Sequence, residues 1–191
     1  MLTGRFVRLR AVERSDLETL RQARNRPDVA RFYESKTPIT QPQQEAWFDR
    51  VSSDDRAHYF VAETGEGEFL GSANVKNINW VHRHGDYGLY IVPAERRNPL
   101  VAVEAAVLVL DYAFDALNLH KVFGNIMACN SRSLAFNEGL GFEREGVLKE
   151  HAWHEGAWVD LVQVALFAGP YRDATAKYRS KIGGAPSGES A

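Results

Sequence analysis

Cysteine is almost absent from this sequence: Cys129 is the only one in 191 residues. A single thiol excludes an intrachain disulfide framework and is typical of a protein of the cytosol. We interpret Cys129 as a half-buried small hydrophobic side chain and not as a nucleophile. The first residues also lack the basic-then-apolar pattern of a secretion signal. The sequence therefore predicts a cytoplasmic protein.

An excess of one charge and a long apolar segment are missing as well. The formal net charge is -2, which gives no electrostatic reason to expect nucleic acid or an anionic membrane surface as a partner. The longest apolar run, residues 100–110, is interrupted by Glu104 and is too short to cross a bilayer. We therefore expect no nucleic-acid partner and no membrane partner.

The composition, with 45% hydrophobic and 25% charged residues, fits one globular domain with a sizeable core. We place this domain at residues 1–182. Residues 183–191 are rich in glycine, serine and proline and predict a disordered tail. The sequence contains no internal repeat and no linker that would divide the chain.

Hydrophobic periodicity predicts an α/β fold. Seven strands are expected, at residues 6–10, 58–63, 69–78, 85–92, 121–128, 142–153 and 157–168. Four helices are expected, beginning near Ser15, Thr40, Pro99 and Asn130. In this order the strands form a mixed sheet with helices on both faces.

Local signals mark several element boundaries. Ser15 with Glu18, and Thr40 with Gln43, have the spacing of capping boxes, in which a side chain and a backbone N–H satisfy each other at a helix start. The Glu-Gly pair at residues 155–156 predicts a two-residue hairpin turn between the last two strands.

The junction between the strand at residues 85–92 and the next helix has features of an anion site. The linking loop, residues 93–99, contains Arg96 and Arg97 and leads into a helix, whose first N–H groups and dipole attract negative charge. The loop contains no glycine, although a close approach to phosphate commonly needs one. Asn98 is a preferred N-cap and Pro99 a preferred first helical residue, so we expect this helix start to cap itself.

Seven short strings occur in a characteristic order and spacing along the chain. They are Gly88-Leu89-Tyr90-Ile91, Glu104-Ala105, residues 110–114, residues 117–122, residues 130–133, Leu140-Gly141-Phe142 and residues 153–160. Together they resemble the GNAT N-acetyltransferase superfamily, nearest its branch of ribosomal-protein alanine and nucleotide-sugar amine acetyltransferases. The resemblance extends to about Leu166. It implies a GNAT fold with a central mixed, largely antiparallel and twisted sheet of about seven strands.

The resemblance also implies acetyl-CoA as cosubstrate and no metal. In this family the cosubstrate lies in a wedge where the strand before the phosphate loop separates from its neighbour. The positions that match the family's cofactor contacts are Tyr90, Ile91, Val92, Arg97, Asn98, Leu100, Val101, Ala102 and Asn130. Among them, the Arg97 side chain and the N–H groups of Val101 and Ala102 would hold the pyrophosphate.

Asp86 matches the family position of a glutamate that often acts as a base or positions a water. Attack of an amine on a thioester needs a base to remove the ammonium proton and a donor for the leaving thiolate. A solvated carboxylate near a strand end is the alternative interpretation of Asp86. Many relatives carry a tyrosine as the thiolate donor at the position of Asn137, which cannot serve in that role.

The phosphate loop departs from the family's pattern at three positions. Leu100 replaces its central glycine, Pro99 has no N–H to offer a phosphate, and a capping Asn98 side chain would occupy the N–H of Leu100 or Val101. The two arginines before Asn98 are the evident compensation. The loop thus leaves three interpretations open: acetyl-CoA use, a different acyl donor, or loss of CoA binding.

Aromatic and histidine side chains are candidates for an acceptor pocket. We assign Trp80, His84 and Trp153 as substrate-binding, with simple packing as the alternative. His151 and His154 could suggest a metal site, but residues i and i+3 of a strand point to opposite faces, so we expect none there.

The leading functional hypothesis is a GNAT acyltransferase. It would transfer acetyl from acetyl-CoA to a primary amine of a peptide N-terminus, an amino sugar or another small metabolite. One alternative is a GNAT-fold binding module that has lost CoA binding and catalysis; the other is an acyltransferase with a different donor. The sequence leaves open whether the chain forms a homodimer.

Overall fold

The computed structural model describes residues 1–33, 37–92 and 98–183. These residues form one eight-stranded sheet with the spatial order β1-β2-β3-β4-β5-β6-β8-β7. The strands are β1 (Leu2–Thr3), β2 (Arg8–Ala11), β3 (His58–Glu63), β4 (Phe69–Asn79), β5 (His84–Ile91), β6 (Lys121–Met127), β7 (Glu143–His154) and β8 (Ala157–Phe167). Neighbouring strands are antiparallel except β5 and β6, which run parallel. The predicted mixed, largely antiparallel sheet is confirmed, and β1 adds an eighth strand that the sequence did not indicate.

Six α-helices accompany the sheet in the described part of the chain. They are α1 (Leu17–Asn25), α2 (Pro27–Ala30), α3 (Gln41–Val51), α4 (Leu100–Asp111), α5 (Ser131–Gly139) and α6 (Ala168–Ile182). A 3-10 turn over Arg14–Asp16 precedes α1, and π-helical turns over Tyr112–Ala116 continue α4. The helix predicted from Pro99 to Leu117 is thus present, with wider turns in its last part.

The helices cover both faces of the sheet, as predicted. Tyr59 and Phe60 are neighbours on β3 and therefore point to opposite faces. Tyr59 contacts Trp47 of α3, and Phe60 contacts Tyr112 just after α4, with ring centroids 5.0 and 5.2 Å apart. One face, which we call the α1/α3 face, packs against α1 and α3. The other packs against α4 and α6.

The main core lies between the sheet and α4. Ala105, Val109 and Leu110 of α4 are fully buried and belong to one apolar cluster with Ala73 and Val75 of β4. Removing a leucine or valine side chain from water contributes about 1.5–3 kcal/mol. The all-round apolar character of this helix, visible in the sequence, therefore stabilises the centre of the fold.

Glu104 is the charged exception on α4, because its side chain is buried with a residue exposure of only 2%. Its Oε1 accepts a hydrogen bond from the N–H of Arg5 at 2.7 Å, and its Oε2 accepts from the N–H groups of Phe6 and Val7 at 2.6 and 2.7 Å. A buried carboxylate is tolerated when hydrogen bonds replace its water. Glu104 thus ties the segment between β1 and β2 to the helix that carries the main core.

A polar network attaches α6 to α4. The hydroxyl of Tyr171 donates to Oδ1 of Asp111 at 2.9 Å, and Nη2 of Arg179 donates to the same Oδ1 and to the Tyr171 hydroxyl, at 2.5 and 2.8 Å. Burial, with the Asp111 charge adding to it, raises the pKa of Tyr171, so the phenol stays neutral. Helix α6 was not predicted from the sequence.

Two of the predicted helix and turn signals are confirmed. Thr40 and Gln43 form a capping box at the start of α3. The hairpin turn between β7 and β8 has Glu155 at φ +48 and Gly156 at φ +89, the pair of left-handed residues that a two-residue turn of this kind requires.

Two other local predictions are wrong. The capping box expected at Ser15 and Glu18 is formed by Glu13 and Asp16 instead, and Ser15 lies inside the 3-10 turn. Cys129, expected to be half-buried, is exposed. Of the predicted tail, Gly183 ends α6 with φ +67, and residues 184–191 lie outside the described residues.

Candidate active site

The parallel strands β5 and β6 are hydrogen-bonded neighbours for only three residue pairs. The pairs are His84 with Lys121, Gly85 with Val122 and Asp86 with Phe123. Beyond them, β5 continues to Ile91 paired with β4 alone, and β6 continues to Met127 paired with β8 alone. Backbone groups left without ladder partners inside a sheet need other partners. Because β5 and β6 are no longer paired with each other beyond Asp86, they form a wedge that opens at this residue.

Asp86 occupies the last pair before the wedge opens. On the opposite side of β5, β4 has a bulge in which Asn77 and Ile78 together oppose the single Gly85. Bulges re-aim side chains and are frequent beside active sites. Here Asn77 takes φ +50, and its Nδ2 donates to Oδ2 of Asp86 at 2.6 Å. Asn77 thus orients the carboxylate, a role that the sequence did not indicate.

The α1/α3 face carries polar and aromatic side chains along the wedge. Asp86, Gly88 and Tyr90 share this face because they alternate along β5. The row continues across the sheet, since Gly88 pairs with Asn74 of β4 and Asn74 pairs with Tyr59 of β3. A Cβ added at Gly88 would lie 2.8 Å from Nδ2 of Asn74. The glycine therefore leaves the space that the Asn74 amide occupies.

Arg24 and Tyr33 complete a cluster on this face. Arg24 lies in the last turn of α1, with its Cζ 3.1 Å from the ring centroid of Tyr33. Burial raises the pKa of the Tyr33, Tyr59 and Tyr90 phenols, and the positive charge of Arg24 opposes each rise. The charge of Asp86 acts on Tyr59 as well. Electrostatic influence falls with distance, so these five side chains form one neighbourhood, the acceptor cluster.

The β7–β8 hairpin holds one side of the acceptor cluster in place. His154, next to the turn, is buried and stacks on Phe32 with ring centroids 5.7 Å apart. Nη2 of Arg31 lies 3.1 Å from a carboxylate oxygen of Glu155. The segment that ends in Tyr33 is therefore packed against the hairpin. This contact joins parts of the chain more than 120 residues apart, and no local pattern in the sequence indicated it.

The helix start expected to cap itself does so. Oδ1 of Asn98 accepts from the N–H of Leu100 at 2.9 Å, and the carbonyl of Asn98 accepts from the N–H of Val101 at 3.0 Å. The Val101 N–H, expected to hold pyrophosphate, is thus used within the chain. Ala102 lies in the first turn of α4. The predicted contact Arg97, together with Arg96, lies outside the described residues.

The other predicted cofactor contacts lie at the far end of the wedge and at the start of α5. Tyr90 and Ile91 end β5 beside the wedge. The N–H of Val92 donates to the carbonyl of Leu70 at 2.8 Å. Asn130 is the predicted N-cap of α5, with Oδ1 accepting from the N–H of Ser133 at 3.1 Å.

Asn137, at the position of the missing tyrosine, is a structural residue of α5. It is 6% exposed, and its Nδ2 donates to the carbonyl of Ser133 at 2.8 Å. An amide used in this way supplies no proton to a leaving group.

The three predicted substrate contacts are not brought together. Trp80 is 43% exposed just after β4, and His84 begins β5 with its ring 5.6 Å from that of Phe123. These two lie at the closed end of the wedge. Trp153 lies at the hairpin, at the other end of β8, where it packs against Trp158 at 5.2 Å. The side chains that line the α1/α3 face beside Asp86 are those of the acceptor cluster.

Among the described residues, no group of three or more His, Cys, Asp or Glu side chains is arranged to hold a metal ion. Nor does this part of the chain contain a helix that is both long and apolar enough to cross a membrane.

A mixed sheet that splays between its two parallel strands, with a carboxylate at the fork, is the architecture expected of an acetyltransferase. The chain belongs to the acetyltransferase (GNAT) family, whose domain model matches residues 7–143. The predicted fold and the predicted class of enzyme, an acyltransferase with acetyl-CoA as the family's cosubstrate, are confirmed at this level.

Curated relatives and a solved structure place the chain within that family. It is 29% identical over 171 residues to spermidine N(1)-acetyltransferase of Escherichia coli K12, covering 90% of this chain and 91% of the relative. It is 31% identical over 111 residues to the ribosomal protein uS5-alanine N-acetyltransferase of the same bacterium, covering 58% and 57%. The fold matches that of spermidine N-acetyltransferase from Vibrio cholerae, solved with CoA and spermine, with a TM-score of 0.79 at 24% identity over 86% and 97% of the two chains. The expected nearness to the ribosomal-protein branch thus extends over a smaller part of the chain than the likeness to spermidine acetyltransferases.

Proposed function

We propose that this protein transfers the acetyl group of acetyl-CoA to the primary amine of a small molecule. The observation that carries the proposal is the wedge between β5 and β6, which opens at Asp86 and is bordered by the acceptor cluster on the α1/α3 face. A cosubstrate in the wedge and an amine on that face would meet at the carboxylate. Tyr90, Ile91 and Val92 would contact the pantetheine, and Asn130 would lie near the cosubstrate as in the family's pattern.

The likeness to known enzymes supports a small acceptor. The spermidine acetyltransferase of E. coli aligns over nine-tenths of both chains, whereas the ribosomal-protein acetyltransferase aligns over little more than half. Among the acceptors considered from the sequence, an amino sugar or another small metabolite therefore has more support than a peptide N-terminus.

The proposed reaction is direct transfer. Asp86, oriented by Asn77, takes a proton from the ammonium group, and the neutral nitrogen attacks the thioester carbonyl carbon. The C–N bond forms, the C–S bond breaks, and the CoA thiolate leaves with the bonding electron pair. The nitrogen, cationic after the attack, loses its second proton to water to give the neutral amide. Asn137 offers no proton to that thiolate, so water would protonate it.

Calorimetric titration with acetyl-CoA, followed by an acetyl-transfer assay with a panel of amines, tests the proposal. Micromolar binding and turnover with at least one amine would support it. Absence of a heat or thermal-shift response at millimolar acetyl-CoA would refute it and favour a binding module. Binding without transfer to any amine would favour a different acyl donor.

The altered phosphate loop leads to a further prediction, about the affinity for CoA. In a Pro99→Lys, Leu100→Gly double variant, residue 99 regains an N–H and adds a positive charge, and residue 100 loses its side chain. We expect the Kd for CoA to fall by roughly 3- to 30-fold. The pyrophosphate at the start of the helix would gain one charged donor from the lysine, and it could approach the backbone more closely at the glycine. Isothermal titration calorimetry measures this directly.

A Pro99→Ala variant serves as the control, since it restores the N–H without charge or extra space and should show a smaller gain. Weaker CoA binding by the double variant would mean that the loop is adapted to another ligand.

A further inference from the structure

The acceptor cluster and the neighbouring Asn74 contain buried polar atoms without a hydrogen-bond partner among the described residues. Nη1 of Arg24, Oδ1 of Asn74 and the hydroxyl of Tyr90 are buried and have no hydrogen-bond partner among the described residues. Leaving a buried donor or acceptor unsatisfied usually costs about 1–3 kcal/mol, and more for a charged group. Four further buried atoms in the described part of the chain, on His58, His84, Tyr87 and His154, lack a partner as well. The atoms of Arg24, Asn74 and Tyr90 are those that a ligand bound beside Arg24 on the α1/α3 face would complete.

The contact between Arg24 and Tyr33 leaves Nη1 of the guanidinium without a hydrogen-bond partner among the described residues. The ring lies against the guanidinium, with its centroid 3.1 Å from Cζ, so it contacts the cation through its π-face. The N–H groups lie in the guanidinium plane and need oxygen acceptors. Stacking on Tyr33 therefore fixes the orientation of the fork and leaves the buried Nη1 donor for another partner.

Positive charges lie close to the Tyr59 phenol. Arg24 and Arg50 both act on the Tyr59 phenol, and the carboxylate that acts on it is Asp86. Lys76 pairs across the strands with Asp86. A linear polyamine carries several ammonium groups and no acceptor for a guanidinium N–H, so it leaves Arg24 unsatisfied and adds like-charge repulsion.

We infer that the acceptor of this enzyme carries an oxyanion, a carboxylate or a phosphate, together with its primary amine, and that Arg24 binds the oxyanion. The inference rests on the proposed function and narrows its substrate. A planar guanidinium whose face is held by an aromatic ring is suited to bidentate contact with such a group. Oδ1 of Asn74 is an acceptor and suits the ammonium end, on the same face as Asp86.

A surface cavity borders the Arg24 end of the acceptor cluster. Arg24 and Tyr33 line a surface cavity of about 130 Å³ together with Asn25, Ala30 and the segment from Thr37 to Ile39. The volume suits a group of a few heavy atoms, such as a carboxylate or a phosphate. A small acceptor could thus place its anion beside Arg24 and its amine toward the wedge.

Matched pairs of acceptors that differ only in the anion test the inference with the complete chain and acetyl-CoA. Glucosamine 6-phosphate is compared with glucosamine, phenylalanine with phenylalanine amide, and spermidine is included as a polycation. Wild-type kcat/KM should be roughly 10- to 100-fold higher for the anionic member of at least one pair, the range of a charge-assisted hydrogen bond. The pair that shows the preference distinguishes phosphate from carboxylate.

Arg24→Met keeps the length of the side chain and removes its charge and donors. We expect it to abolish the preference by lowering kcat/KM for the anionic member while the neutral member changes by less than about threefold. Arg24→Lys keeps the charge without the fork and should retain part of the preference, which covers the case in which the Met variant does not fold. Arg172→Met, at an exposed arginine paired with Asp115, is the matched control and should leave the preference intact.

The inference is overturned if wild-type kcat/KM for spermidine and for the neutral members equals or exceeds that for the anionic members. It is also overturned if Arg24→Met lowers kcat/KM equally for both members of each pair. If no amine is acetylated, the proposed function fails, and calorimetry with the same acceptors alone decides the inference separately. The inference is supported if the wild type binds an anionic member and Arg24→Met does not. It is refuted if the two proteins bind the anionic members equally, or if neither binds them.

Discussion

Replacing Glu104 by glutamine should destabilise the folded protein by roughly 2–4 kcal/mol. The carboxylate accepts three backbone N–H groups, those of Arg5, Phe6 and Val7, and it is almost completely buried. Glutamine has one acceptor oxygen and directs an NH₂ group at N–H donors, so at least one donor stays unsatisfied without access to water. For a chain of this size the loss corresponds to a melting temperature lower by about 5–15 °C. Urea denaturation followed by circular dichroism measures the difference.

Glu66→Gln, at an exposed position in the β3–β4 turn, is the control and should change stability by less than about 0.5 kcal/mol. Gly4→Ala gives an independent test of the same anchor, because the added Cβ would overlap the Glu104 carboxylate. If Glu104→Gln unfolds at the wild-type urea concentration, the three hydrogen bonds contribute nothing net, and the anchor is not important for stability.

Seven of the eight strands of the described sheet could be predicted because each follows from local pattern; the two-residue β1 has no such pattern. The strand at His58–Glu63 was predicted at its observed bounds, and β4 to β8 within one or two residues. The hairpin turn followed from the Glu-Gly pair at 155–156, and the self-capped start of α4 from Asn98 and Pro99. These signals lie within a few residues of one another, so a single sequence contains them.

Helix α6 escaped prediction although its pattern is present in the sequence. Tyr171, Thr175 and Ile182 are buried at helical spacing on α6, with Tyr178 packed against the same core. The helix has charged residues on its other sides and lacks a side-chain cap at its start, so it has no strong boundary signal. Its anchor to Asp111 depends on a contact across 60 residues.

In the candidate site as well, a residue in a local motif could be predicted, whereas residues that depend on tertiary contacts could not. Asp86 was identified through its position in a local strand motif. Arg24 and Asn77 were not, because their importance depends on the fold: a bulge turns Asn77 toward Asp86, and packing of α1 brings Arg24 to Tyr33. The aromatic residues chosen for their chemistry alone, Trp80 and Trp153, lie far apart: one is at the closed end of the wedge and the other is at the β7–β8 hairpin. Residue type and position suggested Asp86 as a candidate for the catalytic group, and only the tertiary structure could suggest what surrounds it.

Replacing Asp86 by asparagine should lower kcat/KM for the acceptor by about 10²–10⁴-fold, the range of a lost general base. The substitution keeps the size of the side chain and its place at the fork of β5 and β6, but it removes the group that we propose takes the ammonium proton. The Kd for acetyl-CoA should change by less than about threefold, because Asp86 lies at the start of the wedge, at the other end of β5 from the expected phosphate site. Steady-state kinetics with the best acceptor, together with calorimetry for acetyl-CoA, separates the two effects.

The pH dependence gives the most direct evidence on the role of Asp86. If the carboxylate removes the proton, the variant should regain rate as pH rises toward the pKa of the amine, because free amine then forms without a base. Asp115→Asn, at an exposed carboxylate paired with Arg172, should retain wild-type kinetics at every pH. Asp86→Asn activity within about threefold of wild type at neutral pH would show instead that solvent deprotonates the amine. The wedge would then act by positioning the two reactants alone, a contribution that can itself be large when the reacting atoms are well aligned.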